Sequence, residues 1–162
     1  MFKNRHSIRL KNFDYRSQGA YFITICTKDR KNLLGEIKNG EMILNACGEI
    51  IRFTWFDLIN HNRYVLLDHF VIMPNHIHGI IIMNNRAGLE PAPTALIEII
   101  RQFKTFSARR INKIQMTPGM TFWQRNYYER VIRNDEELNC IRQYIEENPK
   151  TWESDKNYPV NK

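Results

Sequence analysis

The chain has 162 residues, 43% hydrophobic and 12% aromatic, which suits one packed core and excludes a disordered tail. Lys and Arg number 24 against 17 Asp and Glu, a formal charge of +7 with an isoelectric point near 9.5, so polyanionic partners such as nucleic acid or an anionic membrane surface are favoured. No basic start leads into a long apolar stretch and no run of about 18 apolar residues occurs, which argues against export and membrane insertion and for a cytoplasmic protein.

Cys26, Cys47 and Cys140 are odd in number, lack CxxC spacing and sit in apolar contexts, so buried free thiols in a reducing compartment are expected. Residues 1–18 are polar and basic and form a lead-in arm carrying Lys3, Arg5, Arg9, Lys11 and Arg16. GAYFITICTKDR concentrates β-branched and aromatic residues from Tyr21 to Thr27 and predicts a strand. Asn39-Gly40 between short apolar runs predicts a two-residue hairpin turn. From Ala46 to Asn60, Ile51, Trp55, Leu58 and Ile59 recur at helical spacing. YVLLDHFVIM and HIHGIIIM predict two strands parted by Pro74-Asn75.

The Pro- and Gly-containing segment 84–94 is expected to be a loop, with Thr94 capping a helix from about Ala95 to Ile114. That helix concentrates Arg101, Lys104, Arg109, Arg110 and Lys113. FWQRNYYERVI predicts another extended stretch. DEELNCIRQYIEENP predicts a last helix, beginning near Asn134 or Asp135 and stopped by Pro149. This order predicts one domain over residues 1–162, an α+β sandwich of ferredoxin-like type with a four-stranded antiparallel sheet and helices mostly on one face.

The run FVIMPNHIHGIIIM places His76 and His78 two apart, so both imidazoles face one side of a strand while Ile77 faces the other. Such a pair suits chelation of one metal ion from a rigid strand. It equally suits two hydrogen-bonded or solvated histidines at a strand end. Gly79 admits a close approach of another group to the strand. On the last helix Tyr144 and Asn148 are four apart and share a face at the margin of the stripe formed by Leu138, Ile141 and Ile145. A tyrosine at a core margin and an asparagine before proline also have ordinary structural uses. His6, His61 and His69 receive no role.

The chain resembles the HUH single-strand DNA endonucleases of the single-tyrosine transposase type, and among them the REP-associated tyrosine transposases. The likeness runs through GAYFITICTKDR, VIMPNHIHGI, FKTFSARRIN, FWQRNYYERVIRN and IRQYIEENP in that order. It implies the HUH endonuclease fold, with His76 and His78 as metal ligands and Tyr144 as the nucleophile. Asn148, where other members carry Gln, would complete the metal site. The implied cofactor is Mg²⁺ or Mn²⁺. The implied reaction is cleavage of single-stranded DNA beside an imperfect hairpin, through a 5′-phosphotyrosine and a free 3′-hydroxyl, by a monomer or by a homodimer exchanging tyrosine helices. A hairpin-binding regulator that does not cut, and a metal hydrolase that uses water, are the competing readings.

The residues argue for the same chemistry without the name. A phosphodiester repels nucleophiles and gathers charge in its transition state, which a divalent ion relieves. Two neutral nitrogens and an amide oxygen leave that ion its full charge, although imidazole suits Mn²⁺ better than Mg²⁺. A phenol of pKa about 10 needs a base or a nearby cation to attack at neutral pH. For binding, Arg101, Lys104, Arg109, Arg110 and Lys113 offer cations to phosphates, or else a solvated helix face. Phe122, Trp123, Tyr127 and Tyr128, interleaved with Arg125 and Arg130, offer either stacking platforms for unpaired bases or a core strand.

Overall fold

The computed structural model describes residues 19–83 and 95–159. The basic arm, the loop at 84–94 and Thr94 lie outside the described residues. Strands β1 (Gly19–Cys26), β4 (Val65–Met73), β5 (His76–Met83) and β6 (Tyr128–Ile132) form an antiparallel sheet in the order β4-β5-β1-β6. The apolar run of β5 takes an inner seat because only there are both of its faces covered. Strands β2 (Gly35–Lys38) and β3 (Glu41–Leu44) make a separate ribbon, turned at Asn39 and Gly40, whose φ angles of 53° and 76° are those of a type I′ hairpin.

Side-chain alternation in β1 and β5 builds two cores. On one face Ile23, Ile25, Ile77 and Ile81 pack with Ile51, Trp55 and Leu58 of α1 (Ala46–His61) and Ile99, Ile100, Phe103 and Ile111 of α2 (Leu96–Gln115). Gly79 has no side chain on this face, and the Trp55 ring fills the space: a β-carbon at Gly79 would lie 2.5 Å from it. On the other face Phe22, Ile80 and Ile132 pack with Leu138, Ile141 and Ile145 of α3 (Asp135–Glu147). Among the described residues, α1 and α2 therefore cover one face and α3 covers the other.

A slip in the β4–β5 register between Leu67 and Phe70 marks an irregularity that coincides with an anchor for α3. Asp68 accepts from Arg142 Nε at 2.9 Å and Nη2 at 2.7 Å, and His69 bridges Asp68 Oδ1 and Glu146 Oε1 at 2.7 Å each. The Arg142 guanidinium, with help from His69, holds the Asp68 carboxyl well below the usual carboxylate range. His69, given no role by sequence, thus helps seat the last helix.

Three expectations change. The extended stretch is a strand only over Tyr128–Ile132, and Phe122 and Trp123 turn into the core at 6% and 4% exposure. Pro149 ends the α-helix without ending the winding, since a 3₁₀ helix follows over Asn148–Ser154; proline at the first turn forfeits no hydrogen bond. Cys47 is buried and Cys26 half-buried, but Cys140 is exposed on α3, because its position falls on the solvent side of that helix.

Candidate active site

His76 and His78 open β5 on the α3 face, 0% and 1% exposed, with their Nε2 atoms 3.0 Å apart. Their neighbours set their protonation. Asn75, fully buried, donates through Nδ2 to the carbonyls of Arg30 and Asn157 at 3.0 and 2.8 Å. Its Oδ1 is left to accept from His76 Nδ1 at 2.8 Å, so His76 carries its proton on Nδ1 and presents a bare Nε2. Thr24 Oγ1 lies 2.8 Å from His78 Nδ1, and a hydroxyl serves either tautomer. With the His78 proton on Nε2, the two rings hydrogen-bond to each other. With it on Nδ1, both Nε2 atoms carry free lone pairs 3.0 Å apart, and the two could serve one ion.

Burial pushes both imidazoles below their ordinary pKa, so the pair is neutral and able to ligate at physiological pH. The Tyr144 hydroxyl stands 3.4 Å from His78 Nε2, with its ring 5.3 Å from the imidazole. Burial raises the phenol above its ordinary pKa, the Asn148 amide beside it works in the opposite direction, and Asp155 adds a small rise. Asn148 is 1% exposed, and neither of its amide atoms has a fully formed hydrogen bond among the described residues. A buried amide oxygen of this kind, beside the phenol that faces His78, fits a site for a bound cation.

Asp155 joins this cluster, and sequence reasoning missed it. One ligating atom from each of His76, His78 and Asp155 lies within 4.8 Å of the others. Nothing distinguishes Asp155 in the sequence, where it is one of 17 acidic residues and follows the 3₁₀ segment far from the histidines. An open groove of about 530 Å³ adjoins the site, lined by Phe22, Tyr128, Arg130, Tyr144, Asp155 and Lys156 among others. Lys156 Nζ lies 5.3 Å over the Tyr128 ring.

The other expected contacts are distributed unevenly. Arg130 sits on this face, exposed and paired with Glu137. Helix α2 packs on the opposite face, so Arg101, Lys104, Arg109, Arg110 and Lys113 are not brought to the histidines. Arg109, Lys113 and Arg125 are exposed, and Arg101 is exposed with Glu98 as its partner. Lys104 donates to the carbonyls of Gln124 and Arg125, while Arg110 is held by Thr54 and Asp57 over the Phe53 ring. Trp123 is no stacking platform: its ring packs on Phe103 and Phe122, and its Nε1 donates to buried Ser107 Oγ at 2.9 Å.

An antiparallel sheet that presents paired histidines to a tyrosine-bearing helix is the arrangement of an HUH-type transposase domain. The chain belongs to the IS200-like transposases, whose family profile matches residues 15–148. It is 40% identical over 173 aligned positions to an uncharacterized protein of Haemophilus influenzae, covering 96% of this chain and 93% of that one. The fold is shared with a REP-associated tyrosine transposase solved bound to a REP hairpin, at a TM-score of 0.65 and 17% identity over 89% of this chain and 74% of that one. It is shared also with a putative transposase from Deinococcus radiodurans R1, at a TM-score of 0.53 and 18% identity over 90% and 96% of the two chains. No helix among the described residues is long and apolar enough to cross a membrane.

Proposed function

We propose that this transposase-family chain is a metal-dependent single-strand DNA endonuclease and strand transferase of the REP-associated branch, acting at DNA hairpins in the cytoplasm. The observation that carries the reading is the Tyr144 hydroxyl 3.4 Å from His78 Nε2 within one chain. A divalent ion, Mg²⁺ or Mn²⁺, held by His76, His78 and Asn148, would polarise a non-bridging phosphate oxygen and stabilise the phenolate.

The protein's own groups do the rest. Asn75 and Thr24 fix the imidazoles, and α3 delivers the phenol to the same point. The phenol proton leaves to water, which reaches Tyr144 at 41% exposure. The Tyr144 oxygen then bonds to phosphorus, the bond from phosphorus to the 3′ oxygen breaks, and that oxygen takes up one proton. Atoms and charge balance, and the 5′ end remains on the enzyme as a phosphotyrosine. The covalent link preserves the energy of the diester, so a 3′-hydroxyl can reverse the step and join strands, which a water nucleophile would not allow.

The groove beside Tyr144 supports a nucleic-acid partner, since Arg130 and Lys156 supply cations and Tyr128 a ring face. Arg109, Lys113 and Arg125 are exposed and remain available for phosphates farther along a hairpin. The hairpin bound by the structural neighbour supports the same partner class. The test is covalent capture: with Mn²⁺ and a labelled hairpin oligonucleotide, the unaltered chain gives a protein–DNA adduct on a denaturing gel and Tyr144→Phe gives none while still binding. Undiminished adduct with Tyr144→Phe would refute the proposal.

A further inference from the structure

We infer that Asp155 is an anionic ligand of the cation held by His76 and His78, and the residue that lets this site accept a hard ion; the inference rests on the metal-dependent function proposed above. Position comes first. A carboxylate oxygen of Asp155 and a nitrogen of each imidazole fall within 4.8 Å of one another, close enough to share one ion.

The loop carrying Asp155 is held at the site by the residue that orients His76. Asn75 Nδ2 donates to the Asn157 carbonyl at 2.8 Å while Asn75 Oδ1 accepts from His76 Nδ1. Asp155 Oδ1 in turn accepts the Asn157 backbone N–H at 2.6 Å. Asn157 is 3% exposed, and Cys26 Sγ lies 3.9 Å from its side-chain oxygen. One buried amide therefore fixes an imidazole and the carboxylate's loop together, a support that a solvated acidic residue would not need.

The charges point the same way. The charged groups whose fields reach His76 are Asp155, Arg30 and Lys156, and Lys156 also reaches His78, so Asp155 is the anion set against two cations. Two neutral imidazoles and a neutral amide would ask a divalent ion to enter a positive field. A carboxylate reverses that sign and adds the hard oxygen that Mg²⁺ prefers over nitrogen.

The test measures the ion rather than the reaction. Mn²⁺ is titrated into the full chain, Asp155→Asn and His76→Ala, following free Mn²⁺ by electron paramagnetic resonance, with Mg²⁺ as competitor. Asp155→Asn keeps an oxygen for the Asn157 N–H and removes the charge. It should weaken Mn²⁺ binding by roughly tenfold or more and abolish competition by Mg²⁺. Independently of any variant, Mn²⁺ bound to the unaltered chain should broaden the Asp155 carboxyl carbon resonance together with the His76 and His78 rings. A dissociation constant for Asp155→Asn within twofold of the unaltered chain, or a sharp Asp155 carboxyl signal, overturns the inference. If His76→Ala loses the ion while Asp155→Asn keeps it, the Asp155 assignment alone falls. If His76→Ala binds as tightly as the unaltered chain, the metal-dependent function falls as well.

Discussion

Tyr144 and His78 meet within one chain, the phenol oxygen 3.4 Å from Nε2, although 66 positions separate them. The helix that carries the phenol packs on the sheet that carries the imidazole, through Leu138, Ile141 and Ile145. The proposed site is thus expected to work in cis, and a mixing experiment tests that expectation. Tyr144→Phe chains combined with His76→Ala chains should form no covalent adduct with a hairpin oligonucleotide. Exchange of helices between chains would restore adduct, and a denaturing gel distinguishes the two.

Asn75 spends one buried amide on three partners, the carbonyls of Arg30 and Asn157 and the His76 ring. Asn75→Ala strands two carbonyls and frees the tautomer of His76. The expected cost is about 1–3 kcal/mol of stability, read by urea unfolding. Mn²⁺ affinity should fall about 10- to 100-fold, as for other residues that orient metal ligands.

The pair of Arg142 and Asp68 sets the seat of α3. Because the folded carboxyl is held below its ordinary value, its contribution is present above the unfolded pKa of about 3.9 and is lost as pH falls through the folded value. Asp68→Asn should cost about 1–2 kcal/mol at neutral pH, with the difference from the unaltered chain vanishing in strong acid. Urea midpoints measured at neutral and acidic pH give the comparison.

Gly79 is occupied by a neighbour rather than by flexibility. The Trp55 ring that a β-carbon would meet at 2.5 Å is stacked on Phe70, with centroids 4.4 Å apart, and cannot swing aside. Gly79→Ala should lower stability by about 1–3 kcal/mol, seen as a reduced melting temperature.

Trp123 and Arg125 separate packing from binding. Trp123→Ala opens a hole between Phe103 and Phe122 and should cost about 3–5 kcal/mol, with any loss of DNA affinity tracking unfolding. Arg125 is exposed, and Arg125→Ala should leave the unfolding midpoint within about 0.5 kcal/mol of the unaltered chain. Calorimetry and a hairpin-binding titration on the two variants settle the contrast.

Much of the molecule is legible along the chain because its determinants are local. The apolar, β-branched runs of β1 and β5, the Asn39-Gly40 turn, the helical spacing in α1 and the Asn134 cap, whose side chain accepts from the Glu137 N–H at 2.8 Å, all act within a few residues. The facing of His76 and His78 follows from a strand period of two. Phe122 and Trp123 read equally well as platforms or as core, since an aromatic residue near an arginine does not reveal whether it will be buried. Only packing against α2 decided it.

What required the folded chain is every relationship made across long sequence separations. Asp155 reaches the histidines because Asn75 holds the Asn157 carbonyl, and Tyr144 does so because Asp68 and His69 of β4 hold Arg142 and Glu146 of α3. Such contacts depend on loop closure and on the sum of both packed faces, which no short window of residues encodes. Residue types and their periods determined which side chains can ligate and attack; the tertiary structure decided which of them share a site and which, as on α2, face away.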